Sequence, residues 1–137
     1  MAWPTEIAAT GKRILVIDDQ PLIRDLLRQF LQADGHCVFT AVDGTEGLAK
    51  ARALRPDLIL LDVDMPAPNG LQVCAQLKHE PATAQVPVLF ISARLSTHDI
   101  GQMAAVGAAG FLPKPFLLVD VRQAINRLLG LTASAQR

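Results

Sequence analysis

The sequence predicts a doubly wound α/β domain built on a parallel sheet, on three observations. Runs at residues 14–17, 58–61 and 88–91 are continuously apolar rather than alternating, as strands covered by helices on both faces require. Segments with apolar residues at helical spacing lie between them. Strand and helix alternate five times along 137 residues, the length of one domain. Right-handed crossovers then put helices on both sides of the sheet.

The first strand, residues 14–17, leads into a helix over 21–33. There Leu22, Leu26, Leu27, Phe30 and Leu31 share a face, Pro21 sits in the first turn, and Gly35 follows the end. A weaker strand at 37–42 precedes a helix over 45–54, and the strand at 58–61 precedes one over 70–78. After the strand at 88–91 comes a helix over 97–106 with a thin apolar face of Ile100, Met103 and Ala104, ending ahead of Gly107. A short strand at Phe111-Leu112 leads to the last helix, 117–129, whose buried stripe is Val121, Ala124, Ile125 and Leu128. The domain thus occupies residues 12–130, with 1–11 a flexible N-terminal tail and 131–137 a C-terminal tail or the start of a linker.

Thirteen basic and thirteen acidic residues cancel, and the basic ones form no stripe suited to a phosphate backbone, so direct nucleic-acid binding is not expected. No apolar run is long enough for a bilayer, and MAWPTEIAATG lacks the basic start and apolar core of an export signal. A cytoplasmic protein without membrane contact is expected. Cys37 and Cys74 have no CxxC pattern and no histidine at metal spacing, and both read as small core hydrophobes.

In an open parallel sheet, ligands bind beyond the carboxyl ends of the strands. Here those ends turn abruptly polar: Asp18-Asp19 after the first strand, Asp62 and then Asp64 after the third, Ser92 after the fourth, Lys114-Pro115 after the fifth. Three carboxylates gathered at one edge repel one another unless a cation sits among them, so Asp18, Asp19 and Asp62 predict a hard divalent metal, Mg²⁺ above all. Lys114 offers a point charge and Ser92 a hydroxyl donor to an oxyanion. Together they describe phosphoryl transfer to a carboxylate, a reaction governed by positioning and charge neutralisation. Taken singly, each has a plainer explanation: Asp19 or Gln20 as a helix cap, Ser92 as a turn residue, Lys114 as a solvated lysine. Four strand ends supplying complementary parts of one site argue against coincidence.

ILVIDDQPLIRDLL, PDLILLDVDMPAPNGLQVC, VPVLFISA and GFLPKPF resemble, as a set, the response-regulator receiver family over roughly residues 12 to 130. The resemblance implies a flavodoxin-like (βα)5 sandwich with strand order 2-1-3-4-5. It implies that Asp18, Asp19, Asp62 and the backbone carbonyl of Asp64 hold Mg²⁺. Asp62 then accepts the phosphoryl group, Ser92 and Lys114 bind its oxygens, and the Lys114-Pro115 bond is cis. It implies a switch in which Ser92 moves inward and Phe111 follows. Phenylalanine lacks the hydroxyl that many members carry there, so the expected switch works by packing alone, the alternative being a plain core ring. Asp64 and Arg94 flank the site as candidate modulators of phosphoaspartate hydrolysis, with a salt bridge between them conceivable.

Leu61-Asp62-Val63-Asp64 also suits a phosphohydrolase of the haloacid-dehalogenase type, but here the acidic pair comes earlier and nothing acidic clusters after Lys114. A flavodoxin-like cofactor carrier would need a Ser/Thr/Gly-rich phosphate loop after the first strand. A receiver that has lost its chemistry would leave its buried carboxylates a standing electrostatic cost. The expectation is a phosphoacceptor switch rather than an enzyme, served by a sensor histidine kinase or a histidine phosphotransfer protein. Its target is an unknown output domain or protein, and the sequence leaves open whether it stands alone. The small residues Ala104, Ala105, Ala108 and Ala109 would allow a homodimer through the face of helix 4, strand 5 and helix 5.

Overall fold

A computed structural model describes residues 11–131. Apart from Gly11 and Leu131, the two tails expected from the sequence lie outside the described residues. The elements alternate without exception: β1 (Arg13–Ile17), α1 (Pro21–Ala33), β2 (Cys37–Ala41), α2 (Gly44–Leu54), β3 (Leu58–Asp62), α3 (Gly70–His79), β4 (Val88–Ser92), α4 (Thr97–Ala105), β5 (Gly110–Pro113) and α5 (Leu118–Leu128). All strand pairs are parallel, in the order β2-β1-β3-β4-β5. This is the predicted flavodoxin-like architecture.

The alternation of side chains across each strand builds two cores. Leu15, Ile17, Ile59, Leu61 and Phe90 face α2, α3 and α4, meeting Leu48, Ala51, Val73, Cys74, Leu77 and Met103. Ile14, Val16, Leu58, Leu60, Leu89 and Ile91 face α1 and α5, meeting Leu27, Leu31, Val121, Ala124 and Ile125. β3 and β4 are buried along their whole length, which is why both faces of those sequences had to be apolar.

Helix starts are fixed locally. Asn69 with Gln72 and Ser96 with Asp99 form reciprocal capping boxes at α3 and α4, and Asp43 accepts from the Glu46 N–H at α2. The capping box explains how α4 forms despite its thin apolar face, of which Met103 alone is buried. α1 differs: Gln20 occupies its N-cap, but the side chain makes no capping bond, so that plainer explanation for Gln20 does not hold. The cysteines also divide. Cys74 is buried, with its thiol donating to the Val106 carbonyl, whereas Cys37 lies exposed on edge strand β2 and is no core residue. It is the first residue of the outermost strand, which has a neighbouring strand on one side only.

Candidate functional site

The strand order reverses at β1, which has β2 on one side and β3 on the other, so a crevice opens beyond the β1 and β3 carboxyl ends. Asp18 and Asp19 lie at one rim, Asp62 at the other. Carboxylate oxygens of all three lie within 4.8 Å of one another. Asp18 and Asp62 are buried and Asp19 is exposed, so the cluster is solid at its base and open to solvent above. The cleft has a volume of about 630 Å³, and Asp64, Lys114 and Phe116 also line it.

Lys114 reaches into this cluster from the loop after β5. Its ammonium lies 2.9 Å from Asp18 Oδ2 and 3.4 Å from Asp62 Oδ1, and donates to Gln20 Oε1 at 3.0 Å. With its side chain only 15% exposed, it is no solvated lysine. The Lys114-Pro115 bond is cis, as expected, and so is Ala67-Pro68. Backbone donors complete the carboxylates: the Gln20 N–H donates to Asp18 Oδ1 at 2.8 Å, and the Asp64 N–H to Asp62 Oδ1 at 3.2 Å. The Arg24 guanidinium donates to the Asp18 carbonyl at 2.8 Å.

Burial above all, with the Asp18 charge second, pushes the Asp62 carboxyl up to about 6, against the opposing pull of Lys114 and of the Asp64 N–H. A carboxylate held at this cost is stabilised by any added cation. Gly70, at the first position of α3, makes the close approach of α3 to the carboxyl end of β3 possible, because a Cβ there would collide with the Asp62 carbonyl oxygen.

The remaining candidates are placed less centrally. Ser92 is fully buried at the end of β4, where its hydroxyl accepts from the Arg94 N–H at 2.9 Å and donates to the Arg94 carbonyl at 3.1 Å. It thus makes the turn contact that its plainer explanation anticipates, while standing one strand away from Asp62. Arg94 and Asp64 do meet, Nε to Oδ1 at 3.5 Å, in a largely exposed pair. Phe111 is 41% exposed on edge strand β5, level with Phe90, and is therefore no plain core ring. The sequence reading missed Gln20 and Arg24 as partners of the acidic pair. The one signal available for Gln20 was a poor capping residue at a helix start.

A model of the response regulator receiver domain matches residues 14–126, and the chain belongs to that family. It is a receiver domain of two-component signal transduction. Among curated relatives, it is 41% identical over 125 residues to the DNA-binding dual master transcriptional regulator RpaA of Synechocystis sp., covering 91% of this chain and 51% of the relative. To the alkaline phosphatase synthesis transcriptional regulatory protein PhoP of Bacillus subtilis it is 37% identical, covering 87% of this chain and 49% of the relative. The chain therefore spans about half the length of these relatives. Among solved structures, the Vibrio cholerae chemotaxis protein CheY4 superposes with a TM-score of 0.84 at 33% identity, covering 88% of this chain and all of that one. Among the described residues, no helix is long and apolar enough to cross a membrane.

Proposed function

We propose that Asp62 is the phosphoacceptor of this receiver and that Asp18, Asp19 and Asp62, with the Asp64 carbonyl, hold the Mg²⁺ on which the transfer depends. The observation that carries this reading is the convergence of three carboxylates within 4.8 Å and one lysine ammonium at a single crevice. A hard divalent cation fits that donor set, since it relieves the repulsion among three acidic groups of which two are buried. When bound, it supplies charge neutralisation for the carboxylate and the incoming phosphoryl oxygens.

The Asp62 carboxylate attacks phosphorus, forming an acyl phosphate as the bond from phosphorus to the donor breaks and the donor's leaving group departs. Lys114, already between Asp18 and Asp62, neutralises charge on the transferred group. Ser92 reaches a phosphoryl oxygen by giving up its bonds to Arg94, and the space it leaves admits the Phe111 ring, which now stands partly in solvent. The Asp64–Arg94 pair at the rim governs water access to the phosphoaspartate and hence its lifetime.

A sensor histidine kinase or histidine phosphotransfer protein is the donor in this reading, in the cytoplasm. Leu26 on α1, 44% exposed, lines the cleft, and Leu22, 82% exposed, precedes it by one turn on the same helix, giving the donor an apolar contact there. The phosphorylated domain acts on an output domain or partner as a stoichiometric switch rather than a turnover enzyme.

Incubation with acetyl phosphate and Mg²⁺ tests the reading. Wild type should take up one phosphoryl group and Asp62→Asn none. Equal labelling would remove Asp62 as acceptor, and sustained phosphate release from a generic phosphomonoester would mark a hydrolase instead.

A further inference from the structure

Gln20 stands at an N-cap without capping. Ser, Thr, Asp and Asn are favoured there because a short side chain folds back onto the free N–H groups of the first turn. At α1 that bond is absent, and Pro21 at the next position has no N–H to satisfy. The Gln20 side chain instead spans the crevice to accept from the Lys114 ammonium at 3.0 Å, a contact between residues 94 positions apart. Its own N–H is committed to Asp18 Oδ1 at 2.8 Å, which fixes the backbone from which the side chain reaches.

The Lys114 ammonium therefore has three acceptors of two kinds. Asp18 and Asp62 are the charged ones, and both belong to the acidic cluster, so a bound cation shares their oxygens. Gln20 is neutral and stands outside that cluster. Its oxygen is thus the acceptor that Lys114 keeps when Asp18 and Asp62 turn to a cation.

We infer that Gln20 is a positioning residue, holding the Lys114 ammonium over Asp62 through its side-chain oxygen while the acidic cluster is occupied, so that the lysine meets the incoming phosphoryl group in place. This rests on Asp62 being the acceptor. A freely rotating lysine would have to be ordered anew in each transfer, whereas a held one is ordered in advance.

Two variants separate the oxygen from the shape of the side chain. Gln20→Met keeps the length and removes the acceptor, and Gln20→Glu keeps an acceptor oxygen. With acetyl phosphate, the labelling rate at saturating Mg²⁺ should fall about threefold to tenfold in Gln20→Met, the loss of one ordinary hydrogen bond, and stay within about threefold of wild type in Gln20→Glu. The Mg²⁺ concentration giving half the plateau rate in Gln20→Met should match wild type, which a collapse of the site would not allow. A Gln20→Met plateau equal to wild type, or equal losses in both variants, would overturn the inference. A second readout needs no phosphoryl transfer. In Mg²⁺-loaded protein, the Lys114 ammonium protons should be observable by NMR in wild type and Gln20→Glu and be lost to exchange in Gln20→Met; their persistence in Gln20→Met would also overturn it. Failure of Asp62 as acceptor reads separately, as labelling of Asp62→Asn.

Discussion

The Lys114 ammonium lies closer to Asp18, at 2.9 Å, than to the residue proposed to carry the phosphoryl group. In the metal-free protein, Lys114 is thus the counterion of two buried carboxylates at once. Lys114→Met should cost about 2 kcal/mol of stability without Mg²⁺, because it leaves buried carboxylates unpaired, and saturating Mg²⁺ should recover most of that loss. Urea unfolding of both proteins, with and without Mg²⁺, measures it. An equal deficit under both conditions would mean that the lysine contributes packing rather than charge.

Asp62, pushed up to about 6 by burial and by Asp18, makes stability depend on pH in a defined sense. The folded state binds this proton more tightly than the unfolded chain, so between about pH 4 and pH 6 the contribution of Asp62 to stability falls as pH rises. Below that window both states are protonated, and above it the full penalty applies. Asp62→Asn should therefore stabilise the metal-free protein by on the order of 2 kcal/mol at pH 7, with little gain at pH 4. Denaturant midpoints at the two pH values provide the comparison, and a gain larger at pH 4 would reverse the assignment.

Much of this geometry was legible in the sequence, for reasons that differ by residue. The continuous apolar runs of β3 and β4 could only be strands covered on both faces, and their polar terminations marked the crevice. The three aspartates were visible because they close the apolar runs of β1 and β3, and Lys114 because it follows the short apolar pair of β5. Gln20 was not, since its partner lies four strands and 94 residues further along the chain, and a poor capping residue at a helix start was the one local hint. Exposure on the outermost strands was equally hidden. Cys37 and Phe111 look like core residues by type, but β2 and β5 each lack a neighbouring strand on one side, and that depends on sheet order rather than local pattern.

The pair formed by Asp64 and Arg94 is exposed, so breaking it should change stability by no more than about 0.5 kcal/mol. Its effect should appear in kinetics: Asp64→Asn and Arg94→Ala should each change the rate of phosphoaspartate hydrolysis severalfold. Loss of label from purified phosphoprotein measures this, and rates equal to wild type in both variants would leave the pair as surface charge alone.

Phe111 gives up little by being truncated in the resting state, since 41% of it is already exposed, and Phe111→Ala should cost about 1 kcal/mol. With a phosphoryl mimic such as beryllofluoride and Mg²⁺, the wild-type ring should turn inward as Ser92 leaves Arg94. A structure of that complex with the ring unmoved would remove Phe111 from the switch.

Gly70→Ala should lose about 2 kcal/mol or more and slow labelling, because the added methyl meets the Asp62 carbonyl oxygen and one of the two backbones must yield. Thermal denaturation and acetyl phosphate labelling together test this; a variant wild-type in both would mean that α3 has slack.

That tight seam has a mechanical corollary. α3 is clamped to the Asp62 backbone at Gly70 and anchored further by buried Val73, Cys74 and Leu77, whereas Met103 is the one fully buried side chain of α4. A force generated at Asp62 thus meets a stiff wall on one flank and a compliant one on the other. If Asp62 takes the phosphoryl group as proposed, the work it does would go to the compliant flank, with α4 as the moving part of the domain and α3 as its fixed mount.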